Sequence, residues 1–86
     1  MKIIKIGAMW CPACLIMNKR LKQVESNKHI EIINYDYDLD EDIVEKYKVG
    51  QVLPELIFLN ENNEEIERLI GEQSIETIEK IIEGSC

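Results

Sequence analysis

Lys2-Ile3-Ile4-Lys5-Ile6-Gly7, running through Ala8, Met9 and Trp10 into Cys11-Pro12-Ala13-Cys14, is the stretch on which the fold turns. Residues 2–6 are mostly apolar and β-branched and stop at Gly7, the pattern of a buried strand. Helix signals follow at once: Pro12 suits a first helical turn, where its missing N–H is not needed. Cys14, Met17, Leu21 and Val24 then recur at offsets of three and four. Such a stripe packs on a sheet. Ile30 to Tyr35 reads as a second strand, so the segment predicts a βαβ unit with parallel strands and a right-handed crossover.

Further along, Asp40 can cap a short helix carrying Ile43, Val44 and Tyr47, closed by Val49-Gly50. Pro54 precedes a strand over Leu56-Ile57-Phe58-Leu59. Asn60-Glu61-Asn62-Asn63 supplies a turn, and Ile66, Leu69 and Ile70 mark the returning strand of an antiparallel hairpin. Ser74 caps a last helix whose Ile75, Ile78, Ile81 and Ile82 face inward, with Gly84 beyond its end. The expected order is βαβαββα, an α/β fold with a central four-stranded mixed sheet flanked by helices, as a single domain over residues 1–86. A chain of 86 residues has room for one modest core.

With 45% apolar and 31% charged residues the chain has the balance of a soluble globular domain. No apolar run approaches the roughly 20 residues needed to cross a bilayer. The start is too short and too interrupted by Lys5 for a signal peptide, so no membrane association and a cytoplasmic location are expected. A formal charge of −7, with ten basic against seventeen acidic residues, argues against nucleic acid as a partner. Three cysteines in such a chain do not suggest a disulfide scaffold. The close pair should be reactive or metal-binding.

Between a strand and a helix, the first cysteine of Cys-x-x-Cys sits where unpaired backbone N–H groups and the positive dipole end favour an anion. Cys11 holds that position, and such sites lower a cysteine pKa from about 8.5 to between about 3.5 and 7.5. Cys14 aligns with the buried stripe, shielded from outside reagents yet near the first sulfur. The roles follow: Cys11 attacks a substrate disulfide, and Cys14 then attacks Cys11, releasing the substrate and leaving a redox-active Cys11–Cys14 disulfide. The same spacing supplies half of many zinc sites, but a closed site needs four ligands and the chain adds only His29 and Cys86. No metal and no other cofactor are therefore expected. A metal-binding or metal-transfer module using the pair remains the alternative from another class.

Trp10-Cys11-Pro12-Ala13-Cys14 after a strand resembles the thioredoxin active site, in which Trp precedes Cys-x-x-Cys. Val49-Gly50-Gln51-Val52-Leu53-Pro54 looks like the family's second hallmark, a loop whose proline follows a cis bond and lies against the active site. The resemblance runs from about Ile3 to Gly84, without the family's extra leading strand and helix: a minimal thioredoxin fold of glutaredoxin size. It implies an enzyme, a protein-disulfide reductase fed by a thioredoxin-reductase-type donor or by glutathione, acting as a monomer. Cys-Pro-x-Cys is also common in glutaredoxins, which act on glutathione mixed disulfides. Those have Tyr where Ala13 stands and a Gly-Gly followed by acids, for which Gly71-Glu72-Gln73-Ser74 is a poor substitute, so protein disulfides are the expected substrates.

Trp10, Pro12, Val52, Leu53, Pro54 and Gly71 form the expected substrate-facing rim. Two positions depart from the family: Lys5 replaces a buried Asp and Glu55 replaces a Thr after the proline, which marks both as electrostatic modulators of the cysteines. Alternation puts Ile4 and Ile6 on one sheet face and Ile3 and Lys5 on the other. The simpler expectation for Lys5 is that its stem covers apolar surface while its charge escapes at a sheet edge. Asp36, Asp38, Asp40 and Asp42 alternate as calcium loops do, but Glu41 stands where such a loop needs glycine, so a solvated acidic face is expected. Cys86 reads as an incidental thiol near a chain end.

Overall fold

The computed structural model describes residues 1–84; Cys86 lies outside the described residues. The elements run β1 (Lys2–Gly7), α1 (Pro12–Lys28), β2 (Glu31–Asp36), α2 (Glu41–Lys46), β3 (Glu55–Leu59), β4 (Glu65–Ile70) and α3 (Ile75–Gly84). They build one four-stranded sheet in the order β2-β1-β3-β4. β1 pairs in parallel with β2, Ile3 opposite Ile32. It pairs antiparallel with β3, Ile3 opposite Phe58, and β3 pairs antiparallel with β4. This is the mixed βαβαββα sheet that the hydrophobic periods predict.

Strand alternation divides the core between the two faces of the sheet. On one face Ile3, Leu56 and Phe58 pack with Met17, Leu21 and Val24 of α1 and Ile78 and Ile82 of α3. On the other, Ile4, Ile6, Ile57 and Leu59 join Leu53 and both cysteines, under Ile43 and Val44 of α2 and Tyr35, Tyr37 and Tyr47. Each fully buried side chain of this size stabilises the fold by about 1.5–3 kcal/mol relative to exposure. β1 and β3 carry the burial because they are the inner strands. β4 is an edge, and Ile66 and Ile70 stay largely exposed.

Three helix ends differ in detail from the sequence expectation. Asp40 occupies the start of α2 but makes no side-chain cap; its carboxylate instead accepts from the Asp36 N–H at 2.7 Å, fastening the turn after β2. The chain leaves α2 through Lys48, at φ 53°, rather than through Gly50. The third helix includes Gly84 instead of ending before it. Ser74 does cap that helix, its hydroxyl accepting from the Thr77 N–H at 3.2 Å. Among the described residues no helix is long and apolar enough to cross a membrane.

Candidate active site

Gly7 ends β1, one of the two inner strands, and Ala8 to Trp10 carry the chain over the sheet end to Cys11, the N-cap of α1. Cys11 has extended backbone (φ −102°, ψ 108°), and its sulfur accepts from the Cys14 N–H at 3.3 Å. A side-chain acceptor at this position satisfies a backbone donor that the first helical turn leaves unpaired. Pro12 stands in that first turn, exposed, where no N–H is missed. One helical turn on, Cys14 points into the core beside Cys11, and both are free thiols.

Leu53, Pro54 and Gly71 close the site from the other side. The Cys11 thiol donates to the Leu53 carbonyl at 3.7 Å, the Leu53–Pro54 bond is cis, and the Pro54 carbonyl accepts from the Gly71 N–H at 2.8 Å. This contact makes Cys11 more enclosed than a residue at a helix start: it is 6% exposed, against 2% for Cys14. Around it Met9, Trp10 and Val52 are exposed apolar groups. The Trp10 indole N–H donates to Asp38 at 2.8 Å, which anchors the exposed ring.

Lys5 does not escape to a sheet edge. Because β1 lies between β2 and β3, its side chain is only 5% exposed, and its ammonium donates to the Asn18 side-chain carbonyl of α1. A Cβ on Gly7 would sit 3.1 Å from Lys5 Nζ and 3.2 Å from Cys14 Sγ, so the ammonium and the second thiol crowd the same point. Burial pushes the Lys5 pKa down, with Cys14 and then Cys11 pulling it back up. Burial likewise pushes Cys14 up to about 11, helped by its hydrogen bond with Cys11 and opposed by Lys5.

Glu55 is 2% exposed, and Arg68 of β4 meets its carboxylate at 2.9 Å. The same guanidinium nitrogen donates to the Tyr47 carbonyl at the end of α2 at 2.6 Å, and Arg68 also binds Glu65. The pair ties the strand that follows Pro54 to the end of α2 rather than acting on the sulfurs.

The sequence assigns no role to Asn18 or Arg68 and places Asp38 only on a solvated acidic face, not as the acceptor for Trp10. Asn18 had a signal, since four residues after Cys14 it shares that side of α1. Asp38 and Arg68 reach their partners only through tertiary folding. Among the described residues no three His, Cys, Asp or Glu side chains gather to hold a metal ion.

Comparison with known proteins agrees with this geometry. A family model described as thioredoxin matches residues 1–84. The chain belongs to the thioredoxin family. Thioredoxin H7 of Arabidopsis thaliana is 31% identical over 81 residues, covering 92% of this chain and 60% of that protein, so the chain spans about three fifths of that relative's length. Among solved thioredoxins, thioredoxin 1 of Thermosipho africanus superimposes with a TM-score of 0.82 at 27% identity, over 99% of this chain and 98% of that one. Thioredoxin-2 of the malaria parasite gives 0.89 at 22% identity, over 96% and 81%, a likeness of fold.

Proposed function

We propose that this thioredoxin-family chain is a thiol–disulfide oxidoreductase that reduces protein disulfides through Cys11 and Cys14. The observation that carries the reading is the placement of Cys11 Sγ at the helix start, accepting from the Cys14 N–H at 3.3 Å, with Cys14 directly behind it. A backbone donor aimed at sulfur stabilises negative charge there, and the thiolate is the nucleophile in exchange.

Cys11 attacks one sulfur of the substrate disulfide, forming a mixed disulfide while the other substrate sulfur leaves as thiolate. Cys14, as thiolate, then attacks Cys11 Sγ. The mixed disulfide breaks, the second substrate thiolate leaves, and two electrons have passed from the dithiol to the substrate. Trp10, Pro12, Val52 and Leu53 offer the surface on which the substrate chain rests. Either a thioredoxin-reductase-type donor or glutathione restores the dithiol, and one domain acting as a monomer suffices.

Insulin reduction tests the assignment. Cys11→Ser abolishes turnover, and Cys14→Ser forms a mixed disulfide that it cannot release. Full turnover by either variant refutes the two-step scheme.

A further inference from the structure

The mechanism above leaves one group unused: a buried cation beneath the cysteine pair. We infer that Lys5 is a positioning residue whose ammonium, held by Asn18, stabilises the Cys14 thiolate that resolves the mixed disulfide. The inference rests on the two-step reading proposed for Cys11 and Cys14.

The geometry is specific. Gly7 contributes no side chain, and into the space it leaves come Lys5 Nζ from β1 and Cys14 Sγ from α1, 3.1 and 3.2 Å from the point where a Cβ would stand. Those two lengths bound the charge-to-sulfur distance at roughly 6 Å, within the range over which an opposite charge moves a pKa by about 1–3 units. Burial raises the cost of a lone thiolate and of a lone ammonium alike. Side by side they form a pair that is neutral overall, so the state in which Cys14 attacks is the one Lys5 favours most. Asn18 holds the side chain in place, its carbonyl oxygen accepting from Nζ.

Among the described residues Lys5 is the cation whose charge acts on Cys14. The cleft of about 610 Å³ beside Lys5 is lined by Lys22 and Glu25 of α1, Tyr35 and Asp36 of β2, and Asp40 beyond it. Asp36 and Asp40 spend carboxylate oxygens on backbone N–H groups of the turn. From β3, Glu55 faces Arg68, and from the helix start only Cys11 joins the pair. The Cys14 proton passes to solvent, the leaving substrate thiolate takes one up, and Lys5 keeps its own.

The test uses a chromogenic aromatic disulfide, which releases one coloured thiolate at each step, followed by stopped flow across a range of pH. Lys5→Met keeps the stem and removes the charge. A shift of about 1–3 units lowers the thiolate fraction, partly offset by the greater nucleophilicity of a more basic thiolate, and gives a second step about 3- to 60-fold slower at neutral pH. The pH at which that step levels off should rise by the same shift. An unchanged second step, or one slower by the same factor at every pH with its plateau unmoved, overturns the role of Lys5. A parent protein that shows no first burst overturns the exchange scheme itself.

If Lys5→Met does not fold, NMR titration of the parent decides the matter. Lys5 and Cys14 side-chain signals should move in shared steps, as coupled groups do. Independent titration refutes the inference.

Discussion

Removing Arg68 should unfold this protein far more readily than removing its salt-bridge partner with it. The Arg68→Met substitution keeps most of the stem but strands Glu55, a carboxylate 2% exposed whose cation lay 2.9 Å away. It also takes the donor from the Tyr47 carbonyl. Stripping one partner from a buried pair costs about 3–5 kcal/mol. The Arg68 side chain is 23% exposed, so solvent reaches the pair and the low end, about 3 kcal/mol, applies. For a domain of this size that lowers Tm by about 12–24 °C. Urea titration followed by circular dichroism measures it, with the midpoint falling and the slope unchanged. Arg68→Met combined with Glu55→Met should regain most of the loss, because no charge is then left buried. A single variant within about 1 kcal/mol of the parent, or a double variant as weak as Arg68→Met alone, refutes the argument.

Two further outcomes follow from the helix starts. Ser74→Ala removes the acceptor for the Thr77 N–H and should destabilise the fold by about 1 kcal/mol in the same urea titration, with exchange activity intact. Cys14 is held protonated up to about 11 in the reduced fold against an ordinary 9.0, so its contribution is complete below pH 9.0 and vanishes as pH rises through about 11. The stability advantage of the reduced parent over Cys14→Ala should therefore shrink across that window, and an advantage that grows with pH contradicts the burial of the thiol.

Long periodic segments were legible because burial there follows from spacing alone: the stripe of Cys14, Met17, Leu21 and Val24 is buried as read, as are Ile78 and Ile82. The cysteine pair was legible for the same reason, being placed by the strand before it and the helix after it. Lys5 was not. Its surroundings depend on strand order, which puts β1 inside the sheet, and a strand pattern cannot distinguish an inner position from an edge. The Arg68–Glu55 pair was hidden by register, since the hairpin shifts between Phe58 and Leu59. The exit of α2 through a left-handed Lys48 defies the rule that places glycine there.

Cys11 and the Leu53 carbonyl that closes over it are 42 residues apart in the chain. The strand that brings them together, β3, pairs with β1 only after residues as far along as Leu59 have been made. At about 5–20 residues per second, synthesis leaves roughly 2–8 seconds in which both thiols exist without the loop that covers them. Throughout that interval the pair is two thiols on an unfinished chain, open to any passing oxidant. The loop that shelters the cysteines is thus translated well after them, and a ribosome stalled before β3 would hold both thiols without the Leu53 carbonyl that closes over Cys11.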